Sequence, residues 1–293
     1  MNTGVAKKNG CNRRNFLGAV ALAVGAGARP GEAQSPAPNG SFHLGSVTYN
    51  LFQNSDLETV IKTLETVGYA AVELRTGHKH GVEPTISEAE RARVKERFER
   101  SKVRLLSYGT TCEFQSNDPA ERRKQIDLAK AFVSLAHDTG AWGVKVRPNG
   151  MPAGVPRETT IKNIADGLRE VGENGYVHGV EIWLEVHGGP TQIPATAAEI
   201  MRATNHKNVG LCWNSNNTDV VNGSVKPSFD LLRPWLMSCH ITELVSGYPY
   251  KELFALMRAT KYDRWTLCEA PESKEPERFL KYYRALWQEW MGA

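Results

Sequence analysis

A chain of 293 residues with 41% hydrophobic and 23% charged side chains can bury a large core, and its composition is neither fibrous nor disordered. The formal net charge of +4 is matched by four basic residues among the first 14, Lys7, Lys8, Arg13 and Arg14. The remainder is therefore balanced and gives no reason to expect a nucleic-acid surface.

In chain order, the amino terminus reads as an address. NRRNFLGAVALAVGAGA (12–28) sets paired arginines before a weakly apolar run. That run is too short to span a bilayer, which needs about 20 apolar residues. The segment resembles a twin-arginine export signal, with Asn12 where Ser or Thr is commoner. GEAQ (31–34) offers a small-residue cleavage site after Ala33. The expected organisation is a signal peptide over 1–33, a linker over 34–41 containing SPAPNG, and one folded domain over 42–293. This predicts a periplasmic protein with no stable membrane span after cleavage; an uncleaved anchor is the other reading.

Eight short β-rich runs then alternate with helical patterns. The strand candidates are 44–50, 70–74, 103–108, 142–147, 180–185, 209–213, 235–240 and 264–269. Leu57, Val60, Ile61, Leu64 and Val67 recur at helical spacing before a stop at Gly68. Asp118-Pro119 opens a second helix that Gly140 ends, and SEAERARVKERFER (87–100) reads as a solvated helix with Val94 and Phe98 inward. Phe279, Leu280, Tyr283, Leu286, Trp287 and Trp290 form a further apolar stripe. Of the cysteines after the leader, Cys212, Cys239 and Cys268 fall within strand candidates and Cys112 does not; buried thiols rather than disulfides are expected. Repeated strand–helix alternation implies a parallel sheet. The polar stretch SVTYNLFQNS after the first strand lacks a glycine-rich phosphate loop, which favours a (β/α)8 TIM barrel over an open doubly wound sheet.

Barrel chemistry gathers at the carboxyl ends of the strands. The final four strand candidates end at or beside Glu185, Asn214, His240 and Glu269, spaced 29, 26 and 29 residues apart, about one βα unit each. Each residue alone is commonly an ordinary surface or satisfied polar group. Four at unit spacing predict one divalent cation (Mn, Mg, Co or Zn) on the rim. In VEIWLEVHGG, His187 lies two residues beyond Glu185, so both share a face and His187 is directed at whatever the cation holds.

This ordered set, E-x-H, then strands ending in Asp or Asn, His and Glu, resembles the xylose isomerase-like TIM barrels, nearest the sugar phosphate isomerases and epimerases similar to ketose 3-epimerases. The resemblance covers about 42–290 and includes Glu73 in GYAAVELR. It implies that Glu185 and Glu269 bind the metal and shuttle a proton, and that His187 contacts substrate. Glu73, Lys145 and His78 are further expected substrate contacts, with a structural role the other reading for Lys145 and a solvated loop the other reading for His78 and His80. Two departures stand out: Asn214 replaces the usual Asp, and HITELVSG has no Arg after His240. Asp219, five residues past Asn214, is the alternative ligand.

The expected activity is metal-dependent isomerisation or epimerisation of a small sugar by proton abstraction next to a carbonyl, through an enediolate. A lyase or hydratase acting on a keto-sugar or keto-glycoside, and a non-catalytic sugar-binding barrel, are the alternatives. A small carbohydrate is the expected partner; the oligomeric state is open.

Overall fold

A computed structural model describes residues 42–292 together with Met1. The expected leader and linker lie outside the described residues. Eight strand–helix pairs follow in order: β1 (His43–Val47), α1 (Leu57–Val67), β2 (Ala71–Arg75), α2 (Glu88–Glu99), β3 (Arg104–Glu113) and α3 (Pro119–Thr139). Then come β4 (Gly143–Arg147), α4 (Arg157–His178), β5 (Glu181–Glu185), α5 (Pro194–Thr204), β6 (Val209–Asn214) and α6 (Lys226–Leu232). The series ends with β7 (Leu236–Ile241), α7 (Tyr250–Ala259), β8 (Trp265–Cys268) and α8 (Pro276–Met291). All strand pairs are parallel, and β8 pairs with β1 through Ser46 opposite Cys268, so the sheet closes into a (β/α)8 barrel.

Local chemistry sets the element boundaries. Asp56 accepts a hydrogen bond from the Thr59 amide at 2.8 Å to start α1, and Gly68 ends it at φ 74°, a conformation that glycine adopts without steric cost. Ser87 and Glu90 form a reciprocal capping box at the head of α2. Asp118 caps α3 with Pro119 in its first turn. The helices bury one stripe each; Val60, Ile61 and Leu64 of α1 are fully enclosed. Among the described residues four cysteines are free and buried, and no helix is long and apolar enough to cross a membrane.

Strand alternation divides the lumen into two zones. Val47, Ala71, Leu106, Trp183, Cys212, Trp265 and Leu267 form a separate apolar plug inside the barrel. A Cβ at Gly143 would lie 2.6 Å from the Trp183 ring, so glycine is what admits the indole. Above the plug the inward positions turn polar, at Glu73, Lys145, Glu185 and His240, all buried.

β2, β6 and β7 each end one residue beyond the expected bounds, and β3 ends five beyond. β2 continues past Glu73 to Arg75, which sets Glu73 in mid-strand rather than at its end. β3 continues through the β-branched pair Thr110-Thr111 to Glu113, with an irregularity after Gly109. Glu113 thereby reaches the rim opposite Arg147. Gly143→Ala is expected to cost about 1–3 kcal/mol through overpacking against Trp183, read as a lowered midpoint in urea unfolding; an unchanged midpoint would show that the plug has slack.

Candidate metal centre and active site

Glu185 ends β5, and Asn214 at the end of β6 stands in register with His240 of β7. Glu269 follows β8, its amide bonded to the Ile241 carbonyl at 2.8 Å, which continues the ladder by one rung. These neighbouring strand ends bring Glu185, His240 and Glu269 together, with one ligand atom from each lying within 4.8 Å of the others. His240 Nδ1 is 3.5 Å from Glu185 Oε1 and 3.5 Å from Glu269 Oε2, and it has no hydrogen-bond partner although buried.

Glu73 corrects one expectation. It is fully buried behind His240, with Oε1 3.2 Å from His240 Nε2, while Ser107 Oγ donates to its other oxygen at 2.8 Å. A carboxylate on the far nitrogen of a ligating histidine orients the ring and favours the tautomer whose lone pair faces the metal. Glu73 is therefore enclosed behind His240 and braces its ring rather than standing on the open rim.

Lys145 is engaged by Glu185 rather than held free for a substrate: its Nζ donates to Glu185 Oε2 at 2.5 Å, with both side chains buried. Burial alone would raise the Glu185 carboxyl. Lys145, with help from His240, overrides burial and holds that carboxyl well below the usual carboxylate range. Burial would likewise strip Lys145 of its charge, but Glu185, Glu73 and Glu269 keep it protonated.

The remaining expected residues separate. The carboxamide of Asn214 is half-buried on the rim beside His240, without a hydrogen bond among the described residues. Asp219 stands apart from the clustered ligands. Its Oδ2 accepts from the Asn216 amide at 2.7 Å and from Tyr248 Oη at 2.9 Å, and Asp219 is not one of the three clustered ligands. Burial pushes its carboxyl up to about 7. His187 is at the rim with Nδ1 3.0 Å from Asn149 Oδ1. His78 meets Thr48 Oγ1 at 3.0 Å and stacks on Tyr49, where burial, His80 and Arg75 lower its imidazole to about 4. His80 spends both ring nitrogens on backbone, at Arg75 O and Val82 N.

The donor set fits a divalent cation. Glu73, Glu185 and Glu269 oppose one ammonium, Lys145, which leaves two negative charges once His240 is neutral, and one divalent ion cancels them. An imidazole nitrogen and carboxylate oxygens, with the Asn214 carboxamide beside them, suit Mn²⁺, Mg²⁺, Co²⁺ or Zn²⁺.

Burial opposes charge on His240, but neighbouring Cys212, Glu269 and Glu73 outweigh it and hold the imidazole proton well above the ordinary range. A cation must displace that proton, so its affinity rises with pH. Calorimetry of zinc binding in buffers of different ionisation enthalpy is expected to show about one proton released per ion; no release would remove His240 from the ligand set. Glu73→Gln is expected to weaken zinc affinity by about 10–100-fold with the fold retained, measured by competition with a chelator.

A search of curated proteins by sequence finds no match. Solved structures share the fold at low identity. A zinc-bound IolI protein superposes with a TM-score of 0.73 at 17% identity, over 85% of this chain and 98% of that one. D-psicose 3-epimerase from Clostridium cellulolyticum H10, solved with D-tagatose, gives 0.75 at 13% identity, over 85% and 99%. The 3-keto-D-glucoside 4-epimerase YcjR from E. coli gives 0.72 at 13% identity, over 85% and 100%. The family model described as xylose isomerase-like TIM barrel matches residues 61–286, most of the chain and nearly the whole barrel, and the protein belongs to that family.

Proposed function

We propose that the protein is a divalent-metal-dependent epimerase or isomerase of a small uncharged sugar, which removes a proton beside a carbonyl and returns it. The observation that carries this reading is the placing of Glu185 and Glu269, both 3.5 Å from one histidine nitrogen yet in unlike electrostatic surroundings. When bound, the cation supplies a Lewis acid for the negative charge that develops as the proton leaves.

The two carboxylates divide the work. Among the described residues Glu269 makes no direct ion pair except with His240, and it is 18% exposed, so it is the better placed of the two to meet a substrate proton. Glu185 is a weak base while Lys145 holds it, and that pair is the natural place from which a proton returns. β5 and β8 stand three strands apart in a ring of eight, nearly across the mouth from one another. A proton leaving one side and arriving from the other inverts the carbon.

An uncharged substrate follows from the rim cations, which are committed elsewhere. Lys145 serves Glu185, Arg147 serves Glu113 at 2.6 Å, and Arg75 donates to the Thr76 carbonyl and lies over Tyr49. A phosphate or carboxylate substrate would need a cation of its own. The names of the two epimerases among the structural neighbours, one acting on a ketose and one on a keto-glucoside, support the same substrate class. The twin-arginine-like leader supports a periplasmic location for this activity.

Lys145 also favours a second reading. A buried ammonium beside Glu185 is an acid for a departing oxygen, which suits a lyase or hydratase on a keto-glycoside.

Manganese-loaded enzyme incubated in D2O with D-psicose, D-fructose and a 3-keto-glucoside is expected to place deuterium in one of them, read by mass spectrometry. An epimer as product supports the first reading and an unsaturated or aglycone-free product the second. Glu185→Gln and Glu269→Gln are each expected to cut exchange by about 10²–10⁴-fold. Wild-type enzyme that carries metal yet exchanges nothing would sink both readings.

A further inference from the structure

Glu113 and Asn149 have no part in the proton transfer described above, yet they form the most fully determined polar array on the rim. Glu113 Oε1 accepts from Arg147 Nη2 at 2.6 Å and from Asn149 Nδ2 at 2.7 Å, and Oε2 accepts from Gln115 Nε2 at 2.9 Å. An ionised carboxylate only accepts, so each of these neighbours must present a donor. The amide of Asn149 is thereby fixed: its nitrogen faces Glu113 and its oxygen faces His187 Nδ1 at 3.0 Å. Turned over, it would set an oxygen 2.7 Å from another acceptor. His187 Nδ1 must therefore be the donor.

Backbone geometry locks the same contact. Asn149 sits at φ 49°, in the left-handed region that asparagine tolerates better than most residues. Gly188 lies at φ 75°, and a Cβ there would fall 2.6 Å from Asn149 Oδ1. The Gly150 amide donates to Thr191 Oγ1 at 2.9 Å, and that hydroxyl donates to the His187 carbonyl at 2.7 Å, so the loops after β4 and β5 are latched together.

We propose that Glu113 and Asn149 are positioning residues that fix the neutral His187 ring with its proton on Nδ1, so that Nε2 is a pure acceptor. Nε2 has no protein partner among the described residues. A bare imidazole nitrogen accepts from a hydroxyl and repels a carbonyl, carboxylate or phosphate oxygen, none of which carries a proton. The substrate atom that meets His187 is then a sugar hydroxyl, and an analogue oxidised at that carbon is rejected. This rests on the proposed function in one respect, that His187 faces the substrate.

The test is nitrogen NMR of zinc-loaded protein labelled with ¹⁵N in its imidazoles, above a pH of about 7.5, where an ordinary imidazole is neutral. His187 is assigned by the signals missing in His187→Gln. The expected spectrum has Nδ1 protonated and Nε2 bare, with Nε2 unmoved between zinc-free and zinc-loaded protein. Asn149→Gly, which keeps the left-handed backbone, and Glu113→Ala are both expected to move the His187 resonances towards the Nε2-protonated form. Glu113→Gln, whose amide oxygen still accepts from Arg147 and Asn149, is expected to restore the wild-type pattern. An Nε2-protonated His187 in the wild type, a spectrum unchanged by Asn149→Gly, or an Nε2 signal that shifts on zinc binding would each overturn the proposal. No step of this measurement needs turnover, so a failure of deuterium exchange leaves the tautomer result standing, and the reverse holds equally.

Discussion

Charge balance inside the mouth of the barrel is the constraint on which the rest depends. Three carboxylates, an ammonium and an imidazole are gathered where Glu73 and His240 are fully enclosed and Lys145 and Glu185 nearly so. Ionised groups in such a place are tolerated only when paired and neutralised. Lys145 neutralises one carboxylate, and the two remaining negative charges call for a divalent ion. Asn214 belongs to the same account. With Asp in its place the cluster would carry a third uncompensated negative charge; the carboxamide offers an oxygen without one. The departure from the family's usual residue and the buried lysine are thus two sides of one adjustment.

The scaffold makes this possible by separating two jobs along each strand. Lower lumen positions hold indole and aliphatic side chains, and glycine at 143 gives the Trp183 ring its room. Upper positions hold the charges, supported from behind by residues such as Ser107 that no substrate meets. A firm apolar floor lets the polar layer be preorganised, because the strands carrying Glu185 and His240 are fixed below the site by packing rather than by the site itself.

The barrel and the clustering of Glu185, His240 and Glu269 were legible in the sequence because both depend on period. Strand–helix alternation declares the fold, and unit spacing declares which strand ends share a rim. What period cannot convey is depth and direction. Glu73 lies one residue from the end of its strand candidate and so reads as a rim residue, but β2 runs on to Arg75 and leaves it behind His240. Lys145 alternates inward like any rim residue, and nothing local says that its partner is Glu185, forty residues away. Asp219 has the right chemistry near the right place, and only the loop's own hydrogen bonds to Tyr248 and Asn216 withdraw it. Glu113 was missed altogether. The β-branched Thr110-Thr111 pair before it was the available signal that β3 continues, but the irregularity that turns Glu113 towards Arg147 and Asn149 has no sequence signature.

The tryptophan-filled base of the cylinder has a kinetic consequence. Trp183 and Trp265 seal one end, so arriving and departing sugars share a single doorway. Nothing can pass through; each molecule must back out the way it came before the next is admitted. In the proposed epimerisation, two stereoisomers of nearly equal size compete for that entrance on nearly equal terms. Net flux in the cell is then governed by whatever drains one isomer from the surrounding fluid, and the protein sets only how fast the two pools equalise.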